Sequence, residues 1–244
     1  MSSISETGHA KNVGNLAILI SFCNGYGSVY NPSNVELTIA KLDVLLTLAK
    51  DCLLETKRAK ASFDNATNAR QIAFKALKPL GTKIVNAFAS SGAGASGIAD
   101  ATGINRKIQG GRASGRTKAT NQEVTARRTI STSQQSYDSL IDHFTKLLET
   151  VSQDAHYNPN EPELKLTTLQ ATLANLMILN TGVTDALTNL SNRRIRRDDV
   201  LYSPIWGVIK RASEVKKYVK SIFGAVSPQF QQLSSLKFKN INVL

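Results

Sequence analysis

Apolar residues in the second half of the chain recur every three or four positions, the spacing of one face of an α-helix. A single asparagine interrupts the series: Leu166, Leu169, Leu173, Leu176, Asn180, Val183, Leu187 and Leu190. This is a heptad seam with one polar core position. It predicts a long helix that begins near Pro162, because proline suits the first helical turn.

The first half of the chain carries the same pattern and continues it on an alanine-rich face: Ile39, Leu42, Leu46, Ala49, Leu53, Ala59, Phe63, Ala66, Ala69 and Ala73. It predicts a helix from about residue 34 to about residue 77. Pro79 and Pro204 are expected to stop or kink the two long helices, because proline lacks an amide donor and clashes with the preceding turn. Shorter helices are predicted at about 12–23 and about 135–153. No long stretch alternates with period two, so the pattern predicts an all-α fold.

A repeated motif indicates that the chain is a tandem duplication. Tyr30-Asn31-Pro32 recurs as Tyr157-Asn158-Pro159, 127 residues later, and the same offset pairs Leu42 with Leu169. Because internal repeats define architecture before any single motif does, this match is the main organising feature of the sequence.

The duplication predicts three segments: helical repeat 1 at residues 1–116, a basic linker rich in Gly, Ser and Arg at 117–128, and helical repeat 2 at 129–244. The expected architecture is an elongated helical bundle with long helices of about 40 residues. We expect the two repeats to be related by a pseudo-twofold axis and to pack as one domain.

Composition narrows the class of protein. The chain has 244 residues, of which 41% are hydrophobic, and this content excludes a disordered tail protein. No uncharged apolar run approaches the roughly 20 residues of a membrane-spanning helix. Two cysteines exclude a disulfide scaffold and favour a reducing cytosol. The apolar segment 13–23 has a counterpart in repeat 2, so we interpret it as a helix rather than an export signal and expect a cytoplasmic protein.

The net charge of +12 is distributed in step with the repeats. Residues 1–56 and 129–192 have net charges of −2 and −5, whereas residues 57–118 and 193–244 have net charges of +10 and +8. Each repeat therefore has an acidic front and a basic back. The candidate residues for binding a polyanion or a partner are Arg193, Arg194, Arg196, Arg197, Lys210, Arg211, Lys216, Lys217, Lys220, Lys57, Arg58, Lys60, Arg112 and Arg116.

These basic segments allow three interpretations. They form a solvated helical face, in which long basic side chains cover apolar surface; they bind the acidic front of another copy; or they bind nucleic acid. Aromatic residues make up only 6% of the chain. Nucleic-acid binding usually pairs basic residues with aromatic stacking platforms, and Trp206, next to Pro204, is better suited to packing at a helix bend.

Two glycine-rich segments imitate nucleotide-binding motifs. Gly92, Gly94 and Gly97 have the spacing of a dinucleotide-binding turn, but a predicted helix precedes them where the motif needs a strand. Residues 110–117 resemble a phosphate-binding loop with Arg116 at the position of the lysine, again without a strand. We therefore predict a turn and a flexible linker.

The residues with catalytic or metal-binding chemistry are scattered. His9, His143 and His156 lie far apart, and Cys23 and Cys52 have apolar counterparts in the other repeat, which predicts buried thiols. No Ser, His and Asp grouping stands out. We assign no catalytic, cofactor or metal site and expect a protein that is not an enzyme.

Several segments serve as markers of a family: Ser3–Val13, the two Tyr-Asn-Pro motifs, Ser131–Phe144, Glu214–Ser221 and Ser227-Pro228-Gln229. In these segments the chain resembles an uncharacterised family of helical proteins from bacteria of the Bacteroidota. The resemblance covers nearly the whole chain and implies no activity, so no site residues transfer. Members of the family occur as several related copies, which suits a structural or assembly role.

We expect a non-enzymatic structural or assembly protein that associates with itself or with other proteins through its acidic and basic helical faces. Head-to-tail contacts of this type propagate unless the rotation closes them. The alternative is a sequence-independent nucleic-acid or polyanion binding protein. The second alternative is a membrane-active helical bundle that inserts an amphipathic helix.

Overall fold

The structure, a computed structural model of the chain, describes residues 4–110 and 135–241. Its seven α-helices are α1 Ile4–Gly25, α2 Ile39–Ser90, α3 Ala95–Gln109, α4 Tyr137–Ser152, α5 Leu166–Tyr202, α6 Val208–Phe223 and α7 Pro228–Ser235. Short 3₁₀ turns occupy Gly27–Val29, Val35–Leu37 and Pro162–Leu164. Within the two described ranges there is no β-strand, so the predicted all-α class is confirmed.

Polar side chains begin several of these elements. The Ser136 hydroxyl accepts the backbone N–H of Ser139 at the start of α4. The Ser227 hydroxyl accepts that of Phe230 at the start of α7. Each cap satisfies an N–H group that has no partner inside its helix. A serine N-cap therefore fixes the first residue of α4 and of α7.

The two prolines behave differently. α5 ends at Tyr202, just before Pro204, as predicted, but α2 continues through Pro79 to Ser90, so its predicted end near residue 77 is wrong. Proline removes only one helical hydrogen bond, and α3 supports the surrounding turn from outside. The Gln109 side-chain amide donates to the Lys78 carbonyl at 2.7 Å, and the Lys78 amine donates to the Gln109 carbonyl at 3.2 Å.

The described helices form two compact units whose boundary passes through α2 and α5. Unit 1 comprises Met1–Phe63 and Ala186–Leu244, and unit 2 comprises Asp64–Asp185. Each unit therefore draws residues from both predicted repeats. The repeat boundaries and the pseudo-twofold axis stay predictions.

Unit 1 is built around α1, the first part of α2, the end of α5, and α6 and α7. Its fully buried core side chains include Leu16, Leu19, Leu42, Leu201 and Val215. The C-terminal segment is held against α1 by a reciprocal pair of hydrogen bonds. Here the Asn12 side-chain amide donates to the Lys239 carbonyl at 2.8 Å, and the Lys239 backbone N–H donates to Asn12 Oδ1 at 3.0 Å.

Unit 2 is built around the second part of α2, α3, α4 and the first part of α5. Its fully buried core side chains include Ile84, Ile108, Phe144, Leu147 and Leu169. Phe74 of α2 packs edge-on against Tyr137 of α4, with ring centroids 4.7 Å apart. The Arg70 guanidinium lies 4.0 Å from the centroid of the same tyrosine ring, a favourable cation–π geometry.

The heptad seam of α5 is buried at every second predicted position. Leu169, Leu176, Val183 and Leu190 are buried, whereas Leu166, Leu173 and Asn180 are half-buried and Leu187 is 50% exposed. The buried residues are seven positions apart and lie on one line along the helix. The helix therefore presents a narrower apolar stripe than the sequence pattern predicts.

The first glycine-rich segment forms the predicted turn. Gly92 adopts a φ of +89°, a left-handed conformation that favours glycine, and Gly94 is the N-cap of α3. A helix, α2, precedes this turn. The second segment lies at residues 110–117, of which only Gly110 is described; it ends α3 with a φ of +79°.

Candidate partner-binding site

The predicted basic segments of the two repeats meet in unit 1. Glu55 of α2 accepts a hydrogen bond from Arg193 of α5 at 2.8 Å and lies 3.7 Å from the Arg196 guanidinium. The Thr56 hydroxyl donates to the Arg193 carbonyl at 3.3 Å. These contacts pack the stretch of α2 around residue 56 against the end of α5. We call the basic residues of the two stretches the arginine cluster: Lys57, Arg58, Lys60, Arg193, Arg194, Arg196 and Arg197.

Members of the arginine cluster differ in their availability. Arg197 is only 2% exposed, and its Nε donates to Asp198 at 2.8 Å, so it belongs to the core of unit 1. Lys57, Arg58 and Arg194 are exposed and form no ion pair with an acidic residue of the described ranges. These three side chains are the cations that the cluster offers to a partner.

The predicted basic residues of α6 are mostly used inside unit 1. Arg211 is paired with Glu214 at 2.9 Å and with Glu36 at 3.4 Å, and Lys210 is paired with Glu214 at 3.2 Å. The Lys216 amine donates to the Leu236 carbonyl, and burial lowers the pKa of Lys216, with a smaller contribution from Lys237. These contacts indicate a packing role.

Four predicted basic residues remain, two in α6 and two near the end of repeat 1. Lys220 lies 5.7 Å from the ring centroid of Phe230, and Lys217 is exposed. Arg112 and Arg116 lie outside the described residues. The polyanion surface that α6 contributes is therefore smaller than its basic content suggests.

Acidic residues of each front pair with basic residues of the other repeat's back, inside one chain. In unit 1, Glu36 pairs with Arg211 and Glu55 with Arg193. In unit 2, Glu163 lies 3.7 Å from Lys83. Part of the charge complementarity that we expected between copies is thus used within each unit.

The excess positive charge belongs mainly to unit 1. Its residues include seventeen Lys and Arg against eight Asp and Glu, a net charge of +9, whereas the thirteen basic and ten acidic residues of unit 2 give +3. Two apolar side chains in the same stretches of α2 and α5 are also solvent-exposed: Leu54 at 46% and Ile195 at 65%. The exposed residues of these stretches are therefore cationic but not purely polar.

The Tyr-Asn-Pro motif builds the same local structure in both units. Tyr30 and Tyr157 are buried, and their hydroxyls donate to the carbonyls of Leu37 and Leu164 at 2.7 and 3.0 Å. Each bond fastens the motif to the 3₁₀ turn that precedes a long helix. The sequence marked this motif as a repeat signature, and its role in the fold is to anchor these turns.

A groove lies beside the motif in unit 2. Its volume is about 620 Å³, and it is lined by the end of α2 and by residues 156–164. His156 lines it and is held by Asp154, whose carboxylate oxygen is 2.7 Å from the imidazole Nδ1 and accepts the His156 N–H at 2.9 Å. These bonds, the backbone one first, lower the pKa of Asp154. Sequence reasoning missed this groove, since its walls come from segments about 70 residues apart.

The cysteines are buried, as predicted, and both lie in unit 1. Burial raises the pKa of the Cys23 thiol to about 12, and burial also raises that of Cys52. A thiol with such a pKa stays protonated at neutral pH and is a poor nucleophile. Over residues 4–110 and 135–241, no group of three or more His, Cys, Asp or Glu residues has a metal-binding arrangement.

His143 of α4 is a buried titratable residue in unit 2. It is 5% exposed, and neither ring nitrogen has a hydrogen-bond partner among the described residues. Burial lowers its pKa, nearby Lys107 of α3 and Lys146 lower it further, and Asp142, whose carboxylate is 3.9 Å from Nδ1, opposes them. The neutral imidazole is therefore the form that packs.

We expect mild acid to destabilise the protein through His143. The unfolded chain protonates this imidazole near pH 6.5, whereas the folded state does so only at lower pH. Stability is therefore fully present above about pH 6.5 and falls as the pH drops toward the lowered pKa, by up to about 1.4 kcal/mol per pH unit. Urea unfolding between about pH 7 and about pH 5 measures the free energy of unfolding of the natural chain and of His143→Leu, and we expect only the natural chain to lose the part that depends on this imidazole. A constant difference between the two proteins over this range would contradict it.

Among the residues that the structure describes, no helix combines the length and the apolar content that crossing a bilayer requires. Comparison with protein-family models, with curated proteins and with solved structures gave no significant match. The resemblance to a Bacteroidota family and the bacterial origin therefore stay predictions.

Proposed function

We propose that the protein is a structural protein that binds an acidic protein surface through the arginine cluster of unit 1, as a scaffold rather than as a catalyst. The observation that carries this proposal is the group of three exposed cations without ionic partners, Lys57, Arg58 and Arg194. They belong to the same stretches of α2 and α5 as Glu55 and as Arg193 and Arg196, which share its carboxylate.

Local charge supports the proposal. At physiological ionic strength, charges interact over about 8 Å, so the cations of one short surface act together. One glutamate cannot neutralise the five basic residues named above. The surface therefore keeps a positive potential that attracts and orients an acidic partner.

The exposed Leu54 and Ile195 favour a protein partner over nucleic acid. Protein interfaces combine an apolar centre with a polar rim, whereas a phosphate backbone offers nothing for aliphatic side chains to contact. A second copy of this chain is one such protein. Its acidic fronts are partly engaged within their own units, so another acidic protein is the better match.

We expect Lys57→Glu, Arg58→Glu and Arg194→Glu together to weaken binding to an acidic polypeptide about tenfold or more. The probe is fluorescein-labelled poly-L-glutamate, followed by anisotropy at about 50 mM and about 500 mM NaCl. The matched control, Lys75→Glu, Arg106→Glu and Lys165→Glu, makes the same change in charge at exposed residues of unit 2. Equal losses in the two variants would reject the arginine cluster as the site.

Nucleic acid is the second candidate, because unit 1 carries a net charge of +9. The same variants are titrated with a short DNA duplex. Tighter binding to DNA than to poly-L-glutamate, with a logarithmic affinity that falls linearly with the logarithm of salt concentration, would favour this candidate. Light scattering during size-exclusion chromatography of the protein alone reports whether a second copy is the partner.

A further inference from the structure

The two copies of the Tyr-Asn-Pro motif differ in what covers them. In unit 1, Tyr218 of α6 packs edge-on against Tyr30, with ring centroids 5.4 Å apart and planes at 83°. Its hydroxyl accepts the backbone N–H of Asn31 at 3.1 Å. The motif of unit 1 is therefore closed by a phenol from within the chain.

In unit 2, the corresponding side of the motif is open. Ala87 and Ser90 of α2 and the following Ser91 line the groove, and all three are too small to reproduce the contact that Tyr218 makes. Lys83 and Asn86 of α2 also line it, and neither carries a ring. The Asn158 N–H donates to the His156 carbonyl at 3.0 Å, a bond that spans only two residues. The φ of Tyr157 is not positive, so this is the common inverse γ-turn, and its bond is the one that a ligand oxygen must replace to reproduce the contact of Asn31.

The ion pair beside the motif is the same in both units. The glutamate that follows each motif pairs with a basic residue of the packing helix, Glu36 with Arg211 and Glu163 with Lys83. Phe88 contacts Tyr157 with ring centroids 6.0 Å apart, but it is buried in the core and does not line the groove. The two sites thus share the Tyr-Asn-Pro motif and the ion pair beside it. They differ because only the site in unit 1 is covered by a tyrosine, Tyr218.

We propose that the groove of unit 2 binds a tyrosine side chain of a partner protein, in the way that the motif of unit 1 binds Tyr218. The ring packs beside Tyr157 and Ala87, and the hydroxyl accepts the Asn158 N–H in place of the His156 carbonyl. His156 supplies a second polar contact, since Asp154 engages Nδ1 and leaves Nε2 for a ligand hydroxyl. The site lies wholly in unit 2 and is independent of the arginine cluster.

The direct test is an NMR titration of the full chain with N-acetyl-L-tyrosinamide. We expect shifts of backbone amides at residues 156–161 and at the end of α2, with a Kd on the order of 1 mM for so small a ligand. N-acetyl-L-phenylalaninamide, which lacks the hydroxyl, is expected to bind at least about threefold more weakly. No shifts up to about 20 mM, or equal responses to the two compounds, would overturn the proposal.

A filling variant locates the site. Ser90→Tyr supplies a phenol from α2 and is expected to abolish binding, whereas Thr181→Tyr adds a tyrosine at an exposed position of α5 outside the groove and leaves binding intact. Undiminished binding by Ser90→Tyr would place the ligand elsewhere and reject the groove.

The reciprocal variant tests the chemistry in unit 1. Tyr218→Ala removes the internal phenol, and we expect N-acetyl-L-tyrosinamide to produce a second set of shifts around Asn31 and to raise the Tm of this variant. Tyr218→Phe keeps the ring and gains no second site. A Tyr218→Ala protein that folds and shows no response at Asn31 would contradict the equivalence of the two motifs.

Discussion

Separated repeats are expected to lose most of their folded structure and to regain it on mixing. Fragments 1–116 and 129–244 each contain part of unit 1 and part of unit 2, so neither fragment holds a complete core. The contacts that join the parts include Glu55 with Arg193 in unit 1 and Phe74 with Tyr137 in unit 2. Helices that lack their packing partners are marginal in water, because packing supplies most of their stability.

Circular dichroism at 222 nm measures this outcome. We expect each fragment alone to show less than about half of the helical signal it has in the intact chain, and an equimolar mixture to recover most of it. The control is the full chain cut at an engineered protease site within 117–128, which should keep its signal. A folded, monomeric fragment with a cooperative transition would show that a repeat is complete by itself.

Leu176→Ala is expected to destabilise the protein by about 2–5 kcal/mol, and Leu187→Ala by less than about 1 kcal/mol. Both are predicted heptad positions of α5, but Leu176 is 1% exposed and Leu187 is 50% exposed. Truncation of a buried leucine loses transfer free energy and leaves a cavity. Truncation of an exposed leucine loses less transfer free energy and leaves no enclosed cavity.

Urea unfolding at one pH compares the two variants, and the chemical change is the same in both. The midpoint should move strongly for Leu176→Ala and slightly for Leu187→Ala, with unchanged m-values. Similar losses at the two positions would mean that another surface covers Leu187 in solution. Light scattering of the natural protein then identifies or excludes a second copy as that surface.

Most of the fold could be predicted from the helical periodicity of the sequence. The 3.6-residue repeat of apolar side chains predicts α2 and α5, and the serine caps set the starts of α4 and α7. Periodicity cannot specify how wide the buried stripe is, because leucine occurs at half-exposed as well as buried positions. The continuation of α2 through Pro79 also escaped prediction, since its support comes from Gln109, thirty residues later.

The sequence predicted the basic residues of the candidate sites, but it could not predict which residues pack together in space. The basic character of residues 193–197 is plain from composition, but their contact with Glu55 depends on which stretches of α2 and α5 pack together. The burial of Arg197 depends on the same packing. The groove beside Tyr157 also depends on packing, because its walls lie about 70 residues apart, and the small side chains of Ala87 and Ser90 leave it open. Small side chains of this kind form no recognisable sequence motif.

The two cysteines can report the local unfolding of unit 1. Cys23 and Cys52 are the only cysteines of the chain, and unit 2 has none. Because both thiols are buried, an alkylating reagent reacts with them only when unit 1 opens. The alkylation rate in dilute urea therefore gives the opening free energy of unit 1 alone, while circular dichroism follows the whole chain. Any gap between the two measurements is the degree to which the units unfold separately.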